Sequence, residues 1–188
     1  LQIGSSTALG SGAVTAQTGA ALDLNGFTIA NNISISGSGV ANSGALINSN
    51  ATTAAGTSGS LTLVGDSLVG GAGGLSVSGA VTAQNNAWLV LAGAGSKTLD
   101  NSSNQISKLA SSNNIGALTL VDSASLTVGA PTINGVTYTG ITTNNANVSI
   151  TIRGSNGITL SSAAQTGSGD LTLTANGLSA TAATTGTG

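Results

Sequence analysis

The sequence predicts an all-β protein, a right-handed parallel β-helix (β-solenoid) with no significant helix, and three observations carry that expectation. Apolar residues alternate with polar ones in short runs bounded by Gly, Asn or Ser, the period-two pattern of half-buried strands. One phrase, apolar-Thr/Ser-apolar, recurs nearly verbatim, as in Ser60-Leu61-Thr62-Leu63, Ala117-Leu118-Thr119-Leu120, Ser125-Leu126-Thr127-Val128 and Asp170-Leu171-Thr172-Leu173. Such repetition belongs to stacked coils more than to the varied strands of a sandwich. The inward candidates are small, mostly Ala, Val, Leu and Ile, and the aromatic residues are only Phe27, Trp88 and Tyr138. A tube one or two side chains across accommodates them, because each strand bonds to its copy in the next coil and no wide core is required.

In chain order, Leu22 and Leu24 flank Asp23, Ile33 and Ile35 flank Ser34, Leu61 and Leu63 flank Thr62, and Leu75 and Val77 flank Ser76. Leu89 and Leu91 follow about Val90, Leu118 and Leu120 about Thr119, and Leu126 and Val128 about Thr127. Val148, Ile150 and Ile152 form the longest alternation, and the pairs Ile158/Leu160 and Leu171/Leu173 complete the set. Each is read as a strand with its apolar pair inward. No window of a dozen residues keeps a helical apolar face free of Gly and β-branched residues, so no helix is expected. Asn25, Asn31, Asn32, Asn85, Asn86, Asn113, Asn114, Asn144 and Asn145 sit at the ends of the runs. They are read as corners, since Asn tolerates left-handed backbone, bonds locally and can stack between coils. Coils of about 20 to 25 residues give roughly 8 or 9 coils, extending on the order of 40 Å. The single Pro, Pro131 in Gly129-Ala130-Pro131, marks a bulged loop or a change of register.

Only 4% of the 188 residues are charged: three Lys or Arg face five acidic residues, and His, Cys and Met are absent. Acid–base catalysis, activated nucleophiles and zinc sites all draw on the missing side chains, so the chain is not read as an enzyme and no cofactor is expected. Lys97, Lys108 and Arg153 are the only cations, which leaves no basic patch for nucleic acid. No apolar run approaches twenty residues, so no membrane-spanning helix is expected. No charged or Pro-rich boundary divides the chain, and residues 1–188 read as a single solenoid segment of a longer repetitive chain.

Gly12-Ala13-Val14-Thr15 and Gly19-Ala20-Ala21-Leu22-Asp23-Leu24-Asn25-Gly26 resemble the passenger-associated β-strand repeat of bacterial autotransporters, over residues 1–70. Over residues 116–188, Asn147-Val148-Ser149-Ile150-Thr151-Ile152 and Gly157-Ile158-Thr159-Leu160 are similar to the repeats of filamentous-haemagglutinin-like giant adhesins. The resemblance implies a right-handed parallel β-helix on the Gram-negative cell surface or outside the cell, exported through an outer-membrane β-barrel transporter. It implies a stalk segment of an adhesin or extracellular fibre, with other cells, surface glycans or neighbouring fibre segments as partners and with end-to-end or lateral self-association. A carbohydrate- or ice-binding solenoid is the alternative, although the residue between the paired apolar positions switches among Thr, Ser, Asp and Val. Some members of these families carry an Arg-Gly-Asp motif; Arg153-Gly154-Ser155 lacks its carboxylate.

Other motifs are weaker. Gly93-Ala94-Gly95-Ser96-Lys97-Thr98 after a strand mimics a phosphate loop, but Ser96 precedes the lysine and no helix follows. Gly70-Gly71-Ala72-Gly73-Gly74 is like a calcium-binding β-roll turn that lacks its Asp, and Asp23, Asp66, Asp100, Asp122 and Asp170 are widely spaced, so no metal site is expected. Asp100 with Lys97, and Asp170 near Arg153, are the only candidate acid–cation pairs for lyase or hydrolase chemistry, and neither has a second acid nearby. Trp88 is the one candidate partner contact. Alternation places it on the side of Val90, away from Leu89 and Leu91, where it either stacks on a sugar or partner or covers a solenoid edge, the more ordinary role.

Overall fold

A computed structural model describes residues 1–181 and 185–186. Over them the chain winds into a parallel β-solenoid of about eight turns. The only helical segments among the described residues are two three-residue 3-10 turns, Val40–Asn42 and Gln84–Asn86.

One sheet stacks seven strands, Thr28–Ile29, Ala55–Thr57, Leu75–Val77, Lys97–Leu99, Leu118–Asp122, Val148–Ile152 and Leu171–Thr174. Its register sets the coil length. Ala55 lies opposite Leu75, Leu75 opposite Lys97, Lys97 opposite Leu118, and Val148 opposite Leu171, so these coils take 20 to 23 residues. Two coils are longer than expected from the sequence: Thr28 to Gly56 takes 28 residues and Leu118 to Val148 takes 30. The first carries the Val40–Asn42 turn, and the second an antiparallel hairpin of Thr132–Ile133 and Val136–Thr137.

An eleven-stranded sheet runs from Val14–Ala16 through Ile33–Gly37, Leu61–Gly70, Leu89–Leu91, Lys108–Ser111, Leu126–Val128 and Gly157–Leu160 to Gly177–Ala180. Its ten-residue strand Leu61–Gly70 bends in mid-course, pairing by its first half with Val81–Ala83 and by its second with Leu89–Leu91. Ile141–Thr142, Ala164–Gly167 and Thr185–Gly186 form a third, three-stranded sheet.

The alternating pairs point inward as the sequence predicts. Every member from Leu22 to Leu160 is buried, and Leu171 and Leu173 are half-buried. They merge into one apolar core running from Ile3 to Ala164. Because a strand's inward set meets its copy directly, Leu99, Leu120, Ile150 and Leu173 form one internal column.

The corners use Asn as expected: Asn25, Asn85, Asn86, Asn114 and Asn145 all have positive φ. Asn31 instead works through its side chain, donating from Nδ2 to the carbonyls of Gly10 and Gly12 in the preceding coil at 3.0 and 2.7 Å. At another corner Gly73 and Gly95 stack so closely that a Cβ on Gly95 would overlap the Gly73 carbonyl. The glycine run at residues 70–74 therefore serves backbone approach between coils.

Candidate functional site

Polar side chains that enter the tube are bound by backbone. Asn48 is fully buried; its Oδ1 accepts from the Gly26 N–H at 2.9 Å, and its Nδ2 donates to the carbonyls of Thr53 and Gly74, both at 2.8 Å. Asn104 repeats the arrangement, accepting from Val81 N–H at 2.7 Å and donating to Leu99 and Val121 carbonyls at 2.9 and 2.8 Å. Each thus ties its own coil to the one above and the one below. Neither belongs to the Asn corners expected from the sequence. A single buried amide inside an apolar turn carries no periodic signal, so only the register reveals it.

Three charged groups are buried as well. Lys97 stands in an inward column between Leu75 and Leu118, is 1% exposed, and donates from Nζ to the Gly95 carbonyl at 2.6 Å. Burial lowers its pKa to about 8. Asp122 is fully buried at the end of Leu118–Asp122, where its carboxylate accepts from the N–H groups of Ile106, Ser123 and Ala124 at 3.2, 2.8 and 3.4 Å. Burial outweighs these donors and raises its pKa to about 6. For Asp23, burial pushes the pKa upward, but hydrogen bonds from the Ser49 hydroxyl and N–H, the Asn25 N–H and the Gln2 amide win, leaving it below the ordinary value.

The outer surface holds a second apolar cluster. Leu68, Val90 and Ala110 stack in register on the outward face of the eleven-stranded sheet. Ile133 and Tyr138 of the hairpin lie over them, and half-buried Trp88 packs against the group with Lys108 Nζ 5.5 Å from its ring centre. The hairpin turn is Asn134-Gly135, both at positive φ, as a two-residue type I′ turn requires. At its tip Asn134 Nδ2 donates to Asn42 Oδ1 at 3.0 Å, joining the two insertions across 92 residues of sequence. Pro131 does open a loop, and its carbonyl accepts from Tyr138 N–H at 2.9 Å to close the hairpin base. Trp88 therefore lies on the Val90 side, as alternation requires, and covers apolar surface under the hairpin.

Grooves border the hairpin. One of about 260 Å³ separates its returning strand from the corner at residues 111–113. Another of about 220 Å³ lies between its tip and the turn at residues 37–39.

The remaining constellations are dispersed. The lysine of the phosphate-loop-like stretch is turned into the core, whereas Asp100 is exposed. Arg153 and Asp170 are both exposed, and Asp66 accepts from Trp88 N–H at 2.8 Å. Among the described residues no three His, Cys, Asp or Glu side chains converge, and no helix is long and apolar enough to cross a membrane. No family model, no curated protein and no solved structure matches the chain. The class of protein is accordingly defined by its fold, a parallel β-solenoid.

Proposed function

We propose that this chain is a structural spacer, a stalk segment of a secreted or cell-surface adhesin or extracellular fibre. One observation carries the reading: coil follows coil in register about a single apolar core that runs nearly the whole length of the described chain. Such a body gains length by adding coils, each held by its neighbours. The buried polar groups support it, since Asn48, Asn104 and Asp122 are engaged with backbone of their own and adjoining coils. The lack of Cys suits a chain threaded unfolded through an outer-membrane β-barrel transporter, and the resemblance of residues 19–26 to an autotransporter repeat supports a site of action at the Gram-negative surface. In this reading the segment supplies reach for adhesion and carries out no reaction.

The test removes residues 148–170, one coil by the pairing of Val148 with Leu171, from the surface protein that carries the segment. Shorter fibres in electron micrographs, with cell attachment at saturating contact unchanged, are the expected result. Lost attachment with export intact refutes the spacer role.

A second reading has its own support. The outward column of the seven-stranded sheet runs Thr28, Gly56, Ser76, Thr98, Thr119, Ser149, Thr172 in direct register, with one hydroxyl gap at Gly56. Strand stacking spaces these hydroxyls by about 4.8 Å. The column is more regular than the linear sequence indicates, and it fits a face for carbohydrate or ice. Thermal hysteresis separates the ice-binding form of this reading from a plain spacer.

A further inference from the structure

The groove beside the hairpin combines a tyrosine with amide and hydroxyl side chains. Tyr138 is only 6% exposed and its ring belongs to the outer apolar cluster. Its Oη nevertheless makes no hydrogen bond among the described residues and is not sealed from solvent, since no buried side-chain polar atom there lacks a partner. A phenol held this deep ordinarily finds a partner inside the protein. Tyr138 is also one of the residues that line the groove of about 260 Å³.

The other walls match it chemically. Among the described residues the Asn113 amide and the Thr139 hydroxyl, both exposed, make no side-chain hydrogen bond, and Ser112 Oγ has only a long 3.4 Å contact to the Asn113 carbonyl. Ser111 behind them is fixed, its Oγ accepting from Thr142 N–H and donating to the Ser112 carbonyl, both at 2.9 Å. Val136, 37% exposed, adds one apolar patch. No charged side chain lines the groove.

We propose that this groove binds a neutral saccharide. An anion would meet no cation there, and an apolar ligand would strand the Tyr138 hydroxyl and Asn113 amide without partners. Sugar hydroxyls both donate and accept, which suits phenol, amide and alcohol together, and a sugar's C–H face fits against Val136. The volume lies below the roughly 300–1,000 Å³ of pockets for drug-sized ligands, so it takes one ring of a chain whose remainder stays in solvent. At the hairpin tip one similar group occurs: Ser38, 4% exposed, borders the second groove, and its hydroxyl makes no hydrogen bond among the described residues. The proposal is independent of the spacer reading, which concerns reach and not contact at one coil.

The experiment titrates the 188-residue chain with cellotetraose, maltotetraose, mannotetraose and xylotetraose, and with tetragalacturonate as the charged comparison. Amide NMR shifts at residues 111–113 and 137–139 are followed. At least one neutral sugar is expected to saturate those shifts at about 10 mM or below. Tyr138→Phe keeps the ring and Asn113→Ala alters an exposed side chain; each should weaken binding about 3- to 10-fold, the worth of one hydrogen bond, with the melting temperature unchanged. The proposal fails if no neutral sugar moves those amides, if tetragalacturonate binds as tightly, or if both variants bind like the parent.

Discussion

A lysine in the place of a leucine is the sharpest conflict between local chemistry and fold in this molecule. Lys97 occupies the column of Leu75 and Leu118, and its ammonium has one carbonyl partner. Its folded pKa of about 8 lies below the 10.5 of the free side chain, so between those values the unfolded chain binds more protons than the folded one. Stability from this group is therefore complete above about 10.5 and is lost as pH falls through about 8. Lys97→Met conserves volume and removes the ammonium; it should raise stability at pH 7 by about 1–3 kcal/mol and abolish the rise between pH 8 and 10.5 in urea titrations. Asp122 gives the opposite slope. Its folded pKa of about 6 exceeds the 3.8 of the free carboxyl, so its contribution is complete below about 3.8 and disappears as pH rises through about 6. Asn104, one coil above, shows that an amide suits this kind of corner. Asp122→Asn should therefore stabilise the protein at pH 7 and flatten the profile between pH 4 and 7. Unchanged profiles in both variants would mean that these groups are solvated in the folded state.

The hairpin is the element that departs from the repeating plan, and its energetics are separable from those of the tube. It packs, together with Trp88, over Leu68, Val90 and Ala110, side chains that point away from the main core. Replacing residues 132–137 by Gly-Gly should leave the β-sheet circular dichroism intact, shift Trp88 emission to longer wavelength, and lower stability by a few kcal/mol, as expected for exposing several apolar side chains. Loss of the sheet signal would show instead that the hairpin holds the coils together. The hairpin also marks the limit of what the sequence reveals. Strands such as Val148–Ile152 are legible because β-branched residues alternate over five positions. Ala55–Thr57 and Ala164–Gly167 are not, because their residues are small or polar and only stacking against neighbours makes them strands. Asn134-Gly135 between Ile133 and Val136 is itself a hairpin signal, but it is embedded in a chain where Asn and Gly punctuate nearly every run. The groove is less legible still: Ser111 to Asn113 and Val136 to Thr139 are distant in sequence, and only the insertion folding back on the sheet brings them together.

At the scale of the whole molecule, the coil is the unit of exchange. Backbone bonds, core columns and corner amides all run between a residue and its equivalent one coil away, and neighbouring coils provide nearly every partner. Stability is then close to a sum of nearest-neighbour terms, and removing one whole coil brings together surfaces that were each made to meet such a coil. Deleting residues 75–96 joins Gly74 to Lys97, and by the existing registers sets Lys97 opposite Ala55, Ala110 opposite Leu68 and Ser111 opposite Val69. The apolar columns close again, and the Lys97 N–H keeps the Ala117 carbonyl as partner. Deleting residues 75–85 removes 11 residues instead of 22, only half a coil. Leu89–Leu91 would then follow the Gly73 corner directly, and every strand below would reach the wrong side of the tube. A displaced register turns apolar sets away from the core and separates the stacked corners. The 75–96 deletion should melt cooperatively, with β-sheet circular dichroism like the parent's, whereas the 75–85 deletion should lose the cooperative transition and bind a hydrophobic dye. Equal behaviour of the two deletions, whether both fold or both collapse, would show that the coil is not the stabilising unit.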